Sequence, residues 1–277
     1  MIINNMDIKG STKLLTVIGD PISHSLSPQI QNYFIKKAEI DYIYTAFNIK
    51  KEQLNDFFET AKLLNIKGFN VTMPLKELAF ERVNHRDISA NEAVNTVVNN
   101  NGILSGYSTD GNGFINAISS NGRTLKNKNA LILGAGGTSK PVVKALLNAN
   151  ANVNICARTL TRAKEMVTDN HLYEWQKLEE LCENTDILVN TTPLGMEKFD
   201  NFTNFSFLDR LPKNAIVFDM VYFPRKTQLL TEAENRKIET ISGISQLIHQ
   251  AALSFELFTN TKVSKETIEF LQNNLYS

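Results

Sequence analysis

Lys76 and Asp110 are the pair in this chain best suited to moving a proton. Lys76 stands at the start of an expected helix, where the helix dipole disfavours a cation unless an anion lies near. Asp110, in Thr109-Asp110-Gly111, sits where a helix begins, and capping is its ordinary role there. If the two approach, the carboxylate holds the ammonium and tunes its acidity, and the lysine serves as acid or base. Ser25 and Ser27 are two apart, so in an extended loop their hydroxyls face the same way. Such a pair suits a carboxylate, helped by the helix N-terminus that follows. Ser27-Pro28 is equally the pattern of an N-cap with proline at the first helical position, and this segment alone favours the cap. Asn95-Thr96 heads a strand and suits either a polyol or a turn.

A second constellation lies in the middle of the chain. Ala130-Leu131-Ile132-Leu133 reads as a buried parallel strand, and Gly134-Ala135-Gly136-Gly137-Thr138 follows it. Glycines there let the backbone turn sharply and approach a pyrophosphate, while the next helix presents N–H groups to the anion. The third glycine of the usual fingerprint is replaced by Ser139. A site for NAD shows an acid at the end of the next strand, bonded to the ribose hydroxyls. Here that strand, Asn152 to Cys156, runs into Ala157-Arg158-Thr159, with Arg162 close behind. A guanidinium binds a 2′-phosphate bidentately where an acid repels it, so the expected cofactor is NADP(H).

These residues need strands and helices in alternation, and the chain supplies them. Strands are expected over 14–19, 42–48, 68–71, 94–99, 103–107, 129–133, 152–156, 187–190, 215–219 and 239–241. Helices are expected over 28–38, 51–64, 76–83, from Asp110 to Ser120, after the glycine turn, and over 246–258 and 265–275. Asn101-Gly102 between two strands is a hairpin signal. The alternation implies an α/β protein with parallel sheets and helices on both faces. We expect two domains with a cleft between them: 1–113, completed by the helices of 246–277, and a Rossmann-type domain over 114–245. Asn190-Thr191-Thr192-Pro193-Leu194-Gly195-Met196 should end a strand at the same edge as the glycine turn. Tyr222 is by default an ordinary aromatic, and Gln250 faces the cleft only if the cleft lies as drawn.

Bulk properties exclude several classes. The 277 residues suffice for two modest domains with a sizeable core. With 29 basic and 29 acidic side chains, no basic excess points to nucleic acid or an anionic membrane. No apolar run is long enough to span a bilayer. Two cysteines and four scattered histidines offer no metal-ligand spacing, and the two cysteines call for no disulfide, which fits a reducing, cytoplasmic setting. Met1 to Lys13 is polar and Asn-rich and reads as a disordered or tag-like lead-in.

Seven ordered motifs make the chain resemble the shikimate dehydrogenase family from about Thr16 to about Phe258. They are Ser-Leu-Ser-Pro at 25–28, Asn-Val-Thr-Met-Pro-Leu-Lys at 70–76, Ala-Val-Asn-Thr at 93–96, Thr-Asp at 109–110, Gly-Ala-Gly-Gly at 134–137, Asn-Thr-Thr-Pro-Leu-Gly-Met at 190–196, and Gln250. The resemblance implies reversible, NADPH-dependent reduction of 3-dehydroshikimate to shikimate by a monomer or homodimer. Ser25 and Ser27 would bind the substrate carboxylate. Thr72, Lys76, Asn95, Asp110 and Gln250 would hold its hydroxyls, with Tyr222 nearby, and Lys76 and Asp110 would be the catalytic pair. Gly134, Ala135, Gly136, Gly137 and Thr138 would take the pyrophosphate. Arg158, Thr159 and Arg162 would take the 2′-phosphate, and Met220 and Gly243 would line the nicotinamide. The final helices would return to the first domain.

Four departures from the family pattern stand out. Ala157 replaces the usual Asn before the arginine, removing a polar contact to the adenosine side. Ser108 stands before Thr-Asp in place of Asn. Glu92 replaces the Gly before Ala-Val-Asn-Thr, and Ser245-Gln246 replaces Gly-Met next to the nicotinamide. Two rival readings remain within this fold. One is a quinate/shikimate dehydrogenase of relaxed specificity, against which both serines and the absence of acids from 157 to 162 argue. The other is a non-catalytic binding module, which would have lost Lys76 or Asp110.

Overall fold

The computed structural model describes residues 7–90 and 92–275. Of the expected N-terminal lead-in, residues 1–6 lie outside the described residues, and regular structure begins at Lys13. The chain divides into two compact units, 1–109 with 250–277, and 110–249. The expected divides stand after 113 and 245, close to these bounds.

In the first unit, β1 (Lys13–Gly19), α1 (Ser27–Ala38), β2 (Tyr42–Asn48), α2 (Leu54–Leu63), β3 (Gly68–Val71) and α3 (Lys76–Phe80) follow in turn. Then come β4 (His85–Arg86), β5 (Thr96–Asn100) and β6 (Ile103–Tyr107). The sheet order is β2-β1-β3-β5-β6-β4. It is not wholly parallel, as the alternation had implied: β5 is antiparallel to both β3 and β6. The cause is the hairpin turn at Asn101-Gly102, whose two residues both have positive φ (52° and 89°) and bring Asn100 opposite Ile103. A two-residue connection leaves no length for a parallel crossover. Phe57, Phe58 and Phe69 pack edge to face under this sheet.

The second unit contains α4 (Asp110–Ser119), β7 (Asn129–Leu133), α5 (Ser139–Asn148), β8 (Asn152–Ala157), β9 (Leu172–Glu174) and α6 (Leu178–Cys182). After these come β10 (Ile187–Asn190), β11 (Ile216–Asp219), α7 (Gln228–Asn235) and β12 (Glu239–Ser242). Its six strands are all parallel in the order β12-β11-β10-β7-β8-β9. Counted from β7 as first, that is the doubly wound 3-2-1-4-5-6 order, whose direction reverses between β7 and β10. Strands buried on both faces explain the continuous apolar runs Ala-Leu-Ile-Leu and Ile-Leu-Val. Cys156 and Cys182 are buried free thiols, pushed up to about 12 by loss of solvent.

The last helices are α8 (Gly243–Thr259) and α9 (Lys265–Asn274). In the first unit Phe255 of α8 meets Phe34 edge to face, and Phe270 of α9 stacks on Tyr33 at 5.3 Å between centroids. Among the described residues no helix is long and apolar enough to cross a membrane.

Candidate active site

The register of the first sheet brings most of its candidate residues to one edge. β1 and β3 run parallel, so the loops after Gly19 and Val71 leave from the same side. β5 runs antiparallel to β3 and β6 to β5, so Asn95, just before β5, and Thr109, just after β6, lie on that side too. Ser25, Ser27, Thr72 and Lys76 are half-buried there, whereas Asn95 and Thr109 are buried. The loop after β1 is held by Asn48, which accepts the Ile22 N–H (3.1 Å) and donates to Asp20 (2.9 Å).

Ser27 does not cap α1. Leu26 is the N-cap, in helical geometry, and it makes no side-chain cap bond. Instead the Ser27 N–H donates to Ser25 Oγ at 3.3 Å. The physical reason is that Ser27 is already the first helical residue, whereas a capping side chain comes from the residue before the helix and reaches forward to the N–H groups of its first turn.

Asn95 is the hub of a buried polar network rather than part of a turn. Its amide donates to Thr109 Oγ1 (2.9 Å) and Gln250 Oε1 (3.4 Å), and its Oδ1 accepts the Thr109 N–H (2.9 Å). Thr109 also donates to Gln250 Oε1 at 3.3 Å. Ser254, one turn beyond Gln250, bonds Thr96 (2.8 Å), Thr109 (3.1 Å) and Asn70 (3.0 Å). Asn70 in turn accepts from Tyr44 at 2.7 Å. A satisfied network of this kind locks each amide in one orientation. Sequence reasoning assigns no role to Asn70, Thr109, Ser254 or Tyr44. The signal available was polar residues interrupting apolar strand and helix faces.

All candidate loops of the second unit leave one edge of its sheet, because every strand is parallel. Leu133 is in register with Asn190 and with Cys156, and Asn190 with Asp219. Gly134 has φ +101°, and a Cβ there would lie 2.8 Å from Thr192 Cγ2. Over Gly136 and Gly137 the space is open, with nothing within 4 Å of a Cβ position. A bare, outward-facing turn leading into a ten-residue helix fits a pyrophosphate. Ser139, at the third glycine position, is fully buried; its Oγ accepts the Gly136 N–H at 3.1 Å and lies 2.7 Å from Thr191 Oγ1. Ala135 is partly buried against the core, and Thr138 is exposed just before α5.

Arg158, Thr159 and Arg162 are exposed beyond β8, and neither arginine joins an ion pair among the described residues. Ala157 is buried in the core on the α5 side, and its methyl side chain offers a ligand no polar group. Asp219 is fully buried and accepts from Thr227 Oγ1 (2.6 Å), the Val221 N–H (3.1 Å) and Asn190 Nδ2 (2.9 Å). Burial pushes its carboxyl up to about 6, with the three hydrogen bonds pulling the other way. The carboxylate thereby joins the turn after β10 to the segment carrying Met220 and Tyr222. Burial also raises the Tyr222 phenol. At Gly243 a Cβ would run into the Met220 carbonyl, so only glycine lets α8 start against that backbone. Gln246, one of the family departures, donates from its side chain to the Asp110 carbonyl at 3.3 Å. Asp110 is the first residue of α4, in the second unit, and Lys76 belongs to the first.

Two family models match the chain: "Shikimate dehydrogenase substrate binding domain" over residues 17–97, and "Shikimate / quinate 5-dehydrogenase" over residues 117–247. A curated NADP(+) shikimate dehydrogenase of Alkaliphilus oremlandii is 36% identical, with 98% of each chain covered. One from Methanosphaera stadtmanae is 37% identical over 95% of this chain and 96% of its own. Among solved structures, shikimate 5-dehydrogenase of Listeria monocytogenes in complex with shikimate and NAD has TM-score 0.89 at 31% identity, covering 97% of this chain and 99% of that one. The Thermus thermophilus enzyme in complex with NADP(H) and shikimate has TM-score 0.85 at 30% identity, covering 95% and 100%.

Proposed function

Because the chain belongs to the shikimate dehydrogenase family, we propose that it catalyses the reversible, NADPH-dependent reduction of 3-dehydroshikimate to shikimate, a step toward chorismate and the aromatic amino acids. The observation that carries this reading is the placing of the family motifs. Those of the first unit gather at one edge of its sheet, and those of the second lie at the carboxyl edge of a doubly wound sheet.

In this reading Ser25 and Ser27 donate to the substrate carboxylate. Asn95 and Gln250, pre-oriented by their shared network, hold hydroxyls together with Thr72, and Tyr222 closes on the same ring. NADPH, when bound, supplies the hydride. Reduction of a ketone leaves an alkoxide that needs a proton. Lys76 stabilises that charge as an ammonium, Asp110 holds the ammonium in place, and the pair delivers the proton to the oxygen. Gly134 to Thr138 receive the pyrophosphate, Arg158, Thr159 and Arg162 the 2′-phosphate, and Met220 and Gly243 flank the nicotinamide. The partners are thus small molecules, and the setting is the cytoplasm.

The test is reduced-nicotinamide absorbance with purified protein, shikimate or quinate, and NADP or NAD. Turnover with shikimate and NADP is expected. Folded protein that binds shikimate yet turns over no combination would make the chain a binding module instead.

A further inference from the structure

We propose that Glu174 is a specificity-determining residue that opposes a 2′-phosphorylated adenosine and so relaxes this chain's preference for NADP over NAD; the inference rests on the nucleotide reading above. β9 was not foreseen, and its place in the sheet is what brings Glu174 into play. It pairs with β8 in parallel, with Glu174 in register with Ala157. Backbones so paired lie about 4.8 Å apart, and in-register residues of parallel strands point to the same face. The residue after Ala157 is Arg158, so a carboxylate stands beside the point where the expected phosphate-binding segment leaves the sheet.

Glu174 is held there. Its backbone carbonyl accepts from Cys156 Sγ at 3.5 Å, and the next residue, Trp175, stacks against Phe202 at 6.2 Å. The other acids between β8 and β9 have cations of their own: Glu165 pairs with Lys140 at 3.1 Å and Asp169 with Lys164 at 3.7 Å. Glu174 is exposed and joins no ion pair among the described residues. Its charge therefore acts on whatever anion Arg158 and Arg162 attract, while Ala157 adds nothing in compensation. A like charge beside a bound anion in partly solvated surroundings weakens its binding severalfold, and salt screens the effect.

The test is calorimetric binding of adenosine 2′,5′-bisphosphate and adenosine 5′-monophosphate to the full chain and to Glu174→Gln, both checked for unchanged melting. At low salt Glu174→Gln should tighten the bisphosphate about threefold to fivefold and leave the monophosphate within about twofold. That gain should shrink in ~0.5 M salt. The ratio of kcat/KM for NADP to that for NAD should rise with it. An unchanged bisphosphate affinity, or an equal change for both nucleotides, would overturn the proposal, the latter because Glu174 would then be holding adenosine itself. If the parent chain bound neither nucleotide, the cofactor reading would fall and this inference with it.

Discussion

The Ser139 and Thr191 hydroxyls lie 2.7 Å apart, joining the first turn of α5 to the end of β10 across the point where the strand order reverses. Thr191 gives its own hydrogen to the Leu133 carbonyl at 2.7 Å, and Ser139 accepts the Gly136 N–H. The serine in place of a third glycine is thus a clamp on the glycine turn. Ser139→Ala leaves these groups without their buried partner and should destabilise the chain by about 1–2 kcal/mol. It should also raise the Michaelis constant for NADP, because the turn would lose its fixed shape. Urea unfolding and steady-state kinetics on the same variant check both; unchanged stability would show that water replaces the clamp.

Lys76→Ala tests the chemical step. If Lys76 meets the developing alkoxide as proposed, the variant should lower kcat on the order of 10²- to 10⁴-fold. The Michaelis constant for shikimate should move by less than about threefold. Retained turnover would remove Lys76 from the proton-handling role.

Arg158→Ala tests the proposed phosphate-reading role of this arginine. The Michaelis constant for NADP should rise about tenfold or more, as expected for loss of a charge-assisted contact, and that for NAD should stay within about twofold. Parallel effects on both cofactors would mean that Arg158 supports the loop instead.

Two buried groups in the second unit give opposite pH dependences of stability. Asp219 has its carboxyl raised to about 6 from 3.8, chiefly by burial. Between those values the folded chain holds a proton that the unfolded chain has lost, so this group's contribution falls as pH rises, by about 3 kcal/mol in all. Buried His249, 3.3 Å from Ser120 Oγ, is lowered to about 4 from 6.5 by burial. There the unfolded chain binds the extra proton, so stability rises with pH over that window, again by about 3 kcal/mol. The two nearly cancel in the parent chain. Relative to it, Asp219→Asn should show a steeper gain of stability from pH 4 to 6, and His249→Gln a loss. Denaturation midpoints across that range check it; parallel profiles for all three chains would mean that neither group is perturbed.

Much of this was legible in local sequence. The strand before Gly134, the Asn101-Gly102 hairpin, the arginines after β8 and the ordered motifs are short-range signals, because backbone turns and apolar periodicity are set by neighbouring residues. Glu92 is instructive: its φ of 64° lies in the left-handed region, which accounts for the family's glycine there.

Pairing between distant segments was decided only by tertiary structure. The antiparallel pairing of β3 with β5, the place of β9 beside β8, and the bond between Asn95 and Gln250 all join residues that no local pattern links. Side-chain type and spacing determined which groups were available for chemistry. Long-range packing determined which are buried, which share a network, and whether a residue such as Ser27 caps a helix or leaves its hydroxyl for a ligand. Local propensities act over a few residues, whereas burying a polar group demands a partner from wherever in the chain the fold can bring one.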